Sequence, residues 1–291
     1  MKLNFKENDI LIIDFGNLFY YSKPFHLNEG LLKGSYGIFE QFIINLNSYN
    51  KIFQPNVIII ADDNFPQWRR DIYPLYKKNR EDKFYKPTNL DKAYNRNKKA
   101  IREELKKFLP IYYFRIDGLE ADDICYLLCR KLSKNRNILV MSNDNDLLQL
   151  SQKFETVKII DPHSKKIKEP PEYDIVRYKS LVGDPSDNIK GLQGIGEKTA
   201  KKLLSRKKTF NEWYQNLGEQ DKKVYKDCKS IIDLEKIPVE YIKQFIKQYK
   251  EYQFKEFNGV YLDEIIDRYK FTRVLKSKVL EENFSNLKSI E

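Results

Sequence analysis

The chain has 291 residues, 41% of them hydrophobic, 14% aromatic and 33% charged, which suits a folded protein with a real core and excludes a disordered or fibrous one. Apolar runs such as Val57–Ala61 are far too short to cross a bilayer, and the start Met1-Lys2-Leu3-Asn4 has no signal-peptide core. Fifty-three basic against 42 acidic residues leave a formal charge of +11, which favours a polyanionic partner, although a lysine-rich, AT-biased genome would raise it too.

Taken in order, short apolar runs repeatedly end at acids. Ile10–Ile13 ends at Asp14, a helical pattern follows over Phe39–Ile52, and Val57–Ala61 ends at Asp62 and Asp63. The stretch Arg69–Arg80 then mixes Arg69, Arg70, Lys77, Lys78 and Arg80 with Tyr73 and Tyr76. It continues through Lys83, Phe84, Tyr85 and Lys86 into the Lys- and Arg-rich segment Asp91–Lys107. This is either a solvated helical insertion or a mobile basic element that touches phosphates and stacks on bases. Ala100–Leu109 reads as helix, and Ile111–Ile116 as strand before Asp117. The helix Ala121–Lys131 opens after Gly118-Leu119-Glu120, and the strand Ile138–Met141 runs into Asn143-Asp144. From about Asp184 the pattern is helical and includes a second basic segment, Lys198–Lys208.

Alternating strands and helices predict an α/β fold with a central twisted, mostly parallel sheet. Ligands of such sheets bind beyond the carboxyl ends of the strands, where these acids fall. Cys125 and Cys129, four apart on a helix, read as small core residues. With Cys228 they make no disulfide framework, so a reducing cytoplasm is the expected setting.

The acids form groups: Asp14; Asp62 with Asp63; Glu120, Asp122 and Asp123; Asp144 and Asp146; Asp184 and Asp187. Each alone is explained by helix capping. Gathered in one pocket, they cannot all stay ionised unless cations neutralise them. Oxygen ligands without thiolate select Mg²⁺ or Mn²⁺, and His26 and His163, the two histidines, stand in no ligand-spaced motif. Two such ions, roughly 3.5–4 Å apart, would clamp a phosphate for in-line attack by water. An aspartyl phosphotransferase would want Asp-x-Asp after the first strand, and Asp14-Phe15-Gly16-Asn17 lacks the second acid.

Gly191, Gly194 and Gly196, in Gly191-Leu192-Gln193-Gly194-Ile195-Gly196, suit a tight turn between helices whose N–H groups face a phosphate. Taken with Gly118–Asp123, Ser142–Asp146 and the whole of Gly183–Ala200, the chain resembles the 5′ nuclease and flap endonuclease family over roughly residues 9–270. The likeness is strongest to bacteriophage 5′–3′ exonucleases and the exonuclease domain of bacterial DNA polymerase I.

The resemblance implies a PIN-like or resolvase-like catalytic region over residues 1–183, with a helical arch at about 77–110. A carboxyl-terminal helical DNA-binding region would follow over 184–291, with a helix-three-turn-helix element that grips duplex DNA and a K⁺ at its glycine hairpin. It implies that Asp14, Asp62, Glu120, Asp122, Asp123, Asp144, Asp146, Asp184 and Asp187 hold two Mg²⁺ or Mn²⁺; Asp63 receives no family role. Lys77 and Arg80 match the residues at the arch base that contact the scissile phosphate. Lys179 and Lys198 match positions that hold the DNA backbone, and Tyr20 falls where an aromatic stacks on a base near the cut, unless it is a core aromatic of the first helix. The implied activity is cleavage of DNA with 5′ flaps, nicks or ends, RNA–DNA hybrid included, by a monomer in DNA replication or primer removal, in the host cytoplasm if phage-encoded. A DNA-structure binding protein with a dead site would lack some of these acids, and a PIN-type ribonuclease would be shorter and lack the glycine hairpin.

Overall fold

A computed structural model of the protein describes residues 9–23, 35–80, 88–274 and 276–290. His26, Lys83–Lys86 and the first residues fall outside that range, and with them part of the expected arch.

A six-stranded sheet organises the molecule. Its strands are β1 (Ile10–Asp14), β2 (Val57–Asp62), β3 (Tyr112–Arg115), β4 (Ile138–Met141), β5 (Val157–Ile160) and β6 (Ile167–Lys168), in the spatial order β3-β2-β1-β4-β5-β6. The first five run parallel and β6 is antiparallel, as expected of a mostly parallel sheet. β1, β2 and β4 are buried along their whole lengths, which is why they read as unbroken apolar runs. Val157–Ile160 escaped the sequence reading because the exposed Lys158 interrupts its apolar run, and β6 because two residues give no pattern.

The chain fills the sheet outward from β1 in both directions, first through β2 and β3 and then through β4 and β5, so the order reverses at β1. Such a reversal opens a crevice at the carboxyl ends of the strands. β1 ends there at Asp14, level with Ala61 of β2, and β4 ends one residue short of Ser142.

Strand alternation sends Leu11, Ile13, Ile58 and Ile60 to one face and Ile10, Ile12, Ile59 and Ala61 to the other. The first face packs against α2 (Gly37–Phe53) through Phe39, Phe42 and Leu46, and against α4 (Asn89–Phe108) through Ile101, Leu105 and Phe108. The short helices α1 (Phe15–Tyr21) and α3 (Gln67–Ile72) follow β1 and β2. α4 starts well before the expected Ala100, because Thr88 and Asp91 close a capping box that nucleates it. The second face packs against α5 (Ala121–Leu132), where Cys125 and Cys129 are fully buried free thiols, in keeping with their reading as core residues.

After α6 (Leu148–Lys153) and α7 (Ile175–Val182), the chain is helical: α8 (Glu197–Leu204), α9 (Lys207–Gln215), α10 (Glu219–Ile232), α11 (Val239–Glu251), α12 (Gly259–Tyr269) and α13 (Ser277–Phe284). Its core is not separate. Leu262, Ile265, Phe271, Leu280 and Phe284 join the cluster on the α2–α4 face, and Phe245 of α11 joins the α5 face. A division at residues 183 and 184 therefore cuts through both apolar layers. The helices around α8 to α10 do carry smaller clusters of their own, including Leu192, Ala200, Phe210 and Tyr225.

Gly183 and Gly191 join this region to α7. Both have positive φ, 81° and 67°, and a Cβ on Gly191 would lie 2.3 Å from the Gly183 nitrogen. The two backbones touch because neither residue has a side chain. Gly194 (φ 78°) and Gly196 instead face open space. Gly191→Ala is expected to destabilise the protein by about 3 kcal/mol, against about 1 kcal/mol for Gly194→Ala, measured by thermal denaturation. Equal effects would mean that the close approach matters no more than the positive φ.

Candidate active site

Asp14 closes β1 and caps α1, accepting the Asn17 N–H at 3.1 Å, the Asn17 side-chain amide at 2.5 Å and the Ser142 hydroxyl at 3.0 Å. Burial, and then the charge of Asp63, push its carboxyl up to about 6.

Asp62 and Asp63 point opposite ways because adjacent residues of a strand do. Asp62 is fully buried on the α4 side, held by the Arg102 guanidinium at 2.7 and 2.8 Å and by the Tyr113 hydroxyl at 2.8 Å. It does not line the pocket. Asp63 does, accepting the Ala121 N–H at 2.8 Å, and a Cβ on Gly16 would come within 3.3 Å of both Asp14 and Asp63. Asp62, expected in the metal site, stands outside the pocket, and the neighbouring Asp63, for which no role was expected, lines it.

At the start of α5, Glu120 and Asp123 form a capping box. Asp123 is turned beneath the site, where Arg69 grips both its oxygens at 2.7 Å and the Trp68 indole donates at 3.3 Å. It too is removed from the metal-site set, as a fully buried partner of Arg69. Glu120 and Asp122 face the pocket. Burial would raise Glu120, but Arg69 at 3.0 Å and Lys77 at 2.5 Å outweigh it and hold the carboxyl below its ordinary range. Asp122 forms no ion pair among the described residues, and burial followed by the charges of Asp144 and Asp14 pushes it well up.

Asp144 and Asp146 lie on the loop after β4, where Asp144 accepts the Asp146 N–H at 2.8 Å and donates its own N–H to Ser142 at 3.0 Å. Burial and the charge of Asp144 push Asp146 up to about 6. Asp184 and Asp187 close the ring from the turn after α7, and each of Asp146, Asp184 and Asp187 offers an oxygen within 4.8 Å of the others. Eight carboxylates from five chain segments thus share one pocket of about 240 Å³.

The cations are built in as well. Lys77 has φ 53°, unusual for a residue with a side chain, and is held there by its N–H bond to the Asp187 carbonyl at 2.9 Å. Its ammonium lies 3.7 Å from Asp187, and the more exposed Arg80 reaches the same carboxylate at 2.8 Å. Lys179 was expected on the DNA backbone. In the structure it bridges Asp146 and, at 2.7 Å, Asp184, inside the cluster. Tyr20 is 67% exposed at the end of α1, which rules out its reading as a core aromatic. Gly194, Gly196 and Lys198 are exposed and away from the carboxylates, whereas Gly191 is buried against Gly183.

Asp63, Asn17, Ser142, Arg69, Tyr76 and Arg102 were not singled out for these places. The Asp-Asp dipeptide and the Asp14-Phe15-Gly16-Asn17 turn were visible signals for two of them; the partners on distant helices left none.

Carboxylates massed beyond the central strands of a parallel sheet, with lysine and arginine among them and no histidine or thiolate in the pocket, define a metal-dependent phosphodiesterase. Comparison with known proteins narrows the class. Residues 9–179 match the N-terminal resolvase-like domain of 5′–3′ exonucleases, and residues 170–251 their C-terminal SAM fold. A 5′–3′ exonuclease of Mycoplasmopsis pulmonis is 32% identical over 232 residues, covering 73% of this chain and 71% of the relative. One from Buchnera aphidicola is 32% identical over 243 residues, covering 77% and 79%. DNA polymerase I of Thermus thermophilus is 31% identical over 172 residues, which cover 56% of this chain but 20% of that polymerase. The fold resembles that of a bacteriophage T5 flap endonuclease solved with DNA and metal ions, with a TM-score of 0.62 at 18% identity over 95% of this chain and 99% of that one. The chain belongs to the 5′–3′ exonuclease family.

Two measurements check the site. Asp14 and Asp146 have native values raised above 3.8, so between pH 4 and 6 the folded state binds more protons than the unfolded one. Stability from this source is present at low pH and lost as pH rises through about 6. Glu120 and Asp184, held low, act in the opposite sense below that window. The melting temperature without divalent ions is therefore expected to fall from pH 5 to pH 7, and Mg²⁺ is expected to remove the fall; a rise over that range would contradict the crowding. Separately, Asp62→Asn is expected to cost about 3 kcal/mol of stability by breaking a buried pair, with Asp63→Asn costing little or adding stability. The reverse order in denaturant titrations would return Asp62 to the pocket.

Proposed function

We propose that this chain is a structure-specific 5′ nuclease, hydrolysing phosphodiester bonds of DNA that carries 5′ flaps, nicks or ends. The observation that carries the reading is the convergence of eight carboxylates with Lys77 and Arg80 in one pocket at the strand ends. The donor set fits two hard divalent cations, Mg²⁺ or Mn²⁺. It is rich in oxygen, and the burial and mutual repulsion that raise Asp14, Asp122 and Asp146 ask for positive charge. Asp14, Asp122 and Asp144 would hold one ion, and Asp146, Asp184 and Asp187 the other. When bound, such ions lower the pKa of water and neutralise the scissile phosphate.

The chain's own groups do the remainder. Arg80, exposed at the mouth, offers a planar fork to an incoming phosphate. Lys77, fixed by its bonds to Glu120 and Asp187, presents an ammonium where negative charge grows during in-line displacement. Lys179 bridges Asp146 and Asp184, holds the Asp184 carboxyl low and offsets part of the burial that raises Asp146. Tyr20 stacks on a base beside the cut. The exposed Gly194 and Gly196 turn and Lys198 hold duplex phosphates, with a K⁺ shared between the turn and the backbone. Recognition through phosphates does not read the sugar, so an RNA–DNA junction serves as well, consistent with primer removal in replication. The chain works as a monomer in the cytoplasm.

In single-turnover assays, Mg²⁺ is expected to support release of short products at the junction of a 5′-flap substrate, and EDTA to abolish it. Lys77→Ala is expected to slow the chemical step about a hundredfold while changing the affinity little. Weaker binding with an unchanged single-turnover rate would make Lys77 a docking residue, and tight binding without cleavage in Mg²⁺ or Mn²⁺ would make the chain a DNA-structure binder.

A further inference from the structure

A second groove, of about 550 Å³, lies beside β3 between the last turn of α4 and the carboxyl half of α11. Lys106 and Lys107 stand on one wall, Lys247 and Lys255 on the other, and Glu251 is the one acid lining it. Lys107 is drawn to Glu104 at 2.9 Å. Lys106, Lys247 and Lys255 are exposed and form no ion pair among the described residues. Three cations left facing a concave surface attract a polyanion.

A chain of contacts runs from the groove to the end of β2. Tyr113 lines it, and the Tyr113 hydroxyl donates to Asp62 at 2.8 Å, the carboxylate that Arg102 clamps. Lys98, Arg102 and Lys106 are spaced by four on α4 and so share one face. Lys98 begins that row over the ring of Phe15, the residue after Asp14, at 5.8 Å, and Lys106 ends it in the groove. A row of basic side chains, with Arg102 paired to Asp62, thus runs along α4 from the Phe15 ring to the groove. A concave groove between two helices suits a flexible strand, whose phosphates can follow its walls. The amides of Gln244, Gln248 and Gln253 can donate to or accept from the base edges of any sequence.

We propose that this groove receives the single-stranded 5′ arm of the substrate after it has passed α4, with its phosphates held by Lys106, Lys247 and Lys255. The assignment rests on the nuclease reading above. The test compares the full chain with the K106A/K247A/K255A variant on two substrates sharing one duplex, a nicked form without an arm and a form with a long single-stranded 5′ arm. The variant is expected to cleave the nicked form at the wild-type rate. It should bind the long-armed form roughly tenfold more weakly, with the log–log salt dependence flattened by about two. K247A/K255A, which leaves α4 untouched, should show part of the same selective loss. Equal loss on both substrates, or no loss on either, overturns the proposal. If the wild-type chain cleaves neither substrate, the nuclease reading fails on its own, and the difference in affinity for the long arm still decides whether the groove holds single strands.

Discussion

Repulsion among carboxylates is the constraint around which the rest of the molecule is arranged. Eight of them share one pocket, and in a partly dehydrated site that crowding favours protonation unless positive charge is supplied. The protein supplies part of it from fixed side chains. Arg69 sits beneath Glu120, Lys77 and Arg80 stand at one rim, and Lys179 bridges at the other. With Arg69 and Lys77 on Glu120 and Lys179 on Asp184, those two carboxyls stay low; burial and neighbouring acids still push Asp14 and Asp122 up, and Asp146 as well although Lys179 reaches it. The uncompensated remainder is the driving force for binding divalent ions.

Holding that cluster requires rigid parts. The central strands are buried on both faces, so the ends that carry Asp14 and the Ser142–Asp146 loop cannot drift. The helices after α10 fold back onto both faces of the sheet and thicken the layers beneath the site. The backbone contact of Gly183 with Gly191 fixes the turn bearing Asp184 and Asp187 relative to the hairpin beyond it. Arg102 joins α4 to the end of β2 through Asp62, which ties the arch helix mechanically to the active-site end of the sheet.

Much of this was legible in the sequence, because buried parallel strands that end in acids give a strong pattern. The sheet, its mostly parallel sense and the convergence of acids all followed from Ile10–Asp14, Val57–Asp62 and Ile138–Asp146. Direction at the level of single residues did not. Asp62 and Asp63 differ by one step of a strand, and that step decides between the pocket and the Arg102 clamp. Asp122 and Asp123 differ by one step of a helix, about 100°, which turns one toward the site and the other toward Arg69. The contacts of Lys179 with Asp146 and Asp184 left no signal, because neither acid is its sequence neighbour at a helical spacing. Such partners are set by tertiary packing, which a single sequence does not display.

The central claim is that the pocket carboxylates, Asp63 rather than Asp62 among them, hold divalent ions. Counting Mn²⁺ bound per chain at neutral pH, from the electron paramagnetic resonance signal of free Mn²⁺, tests it most directly. The account predicts two ions in the wild type, clear weakening of at least one in Asp63→Asn, and retention of both in Asp62→Asn provided that variant stays folded. Loss of an ion in Asp62→Asn with none in Asp63→Asn, or no stoichiometric binding in the wild type, would contradict it.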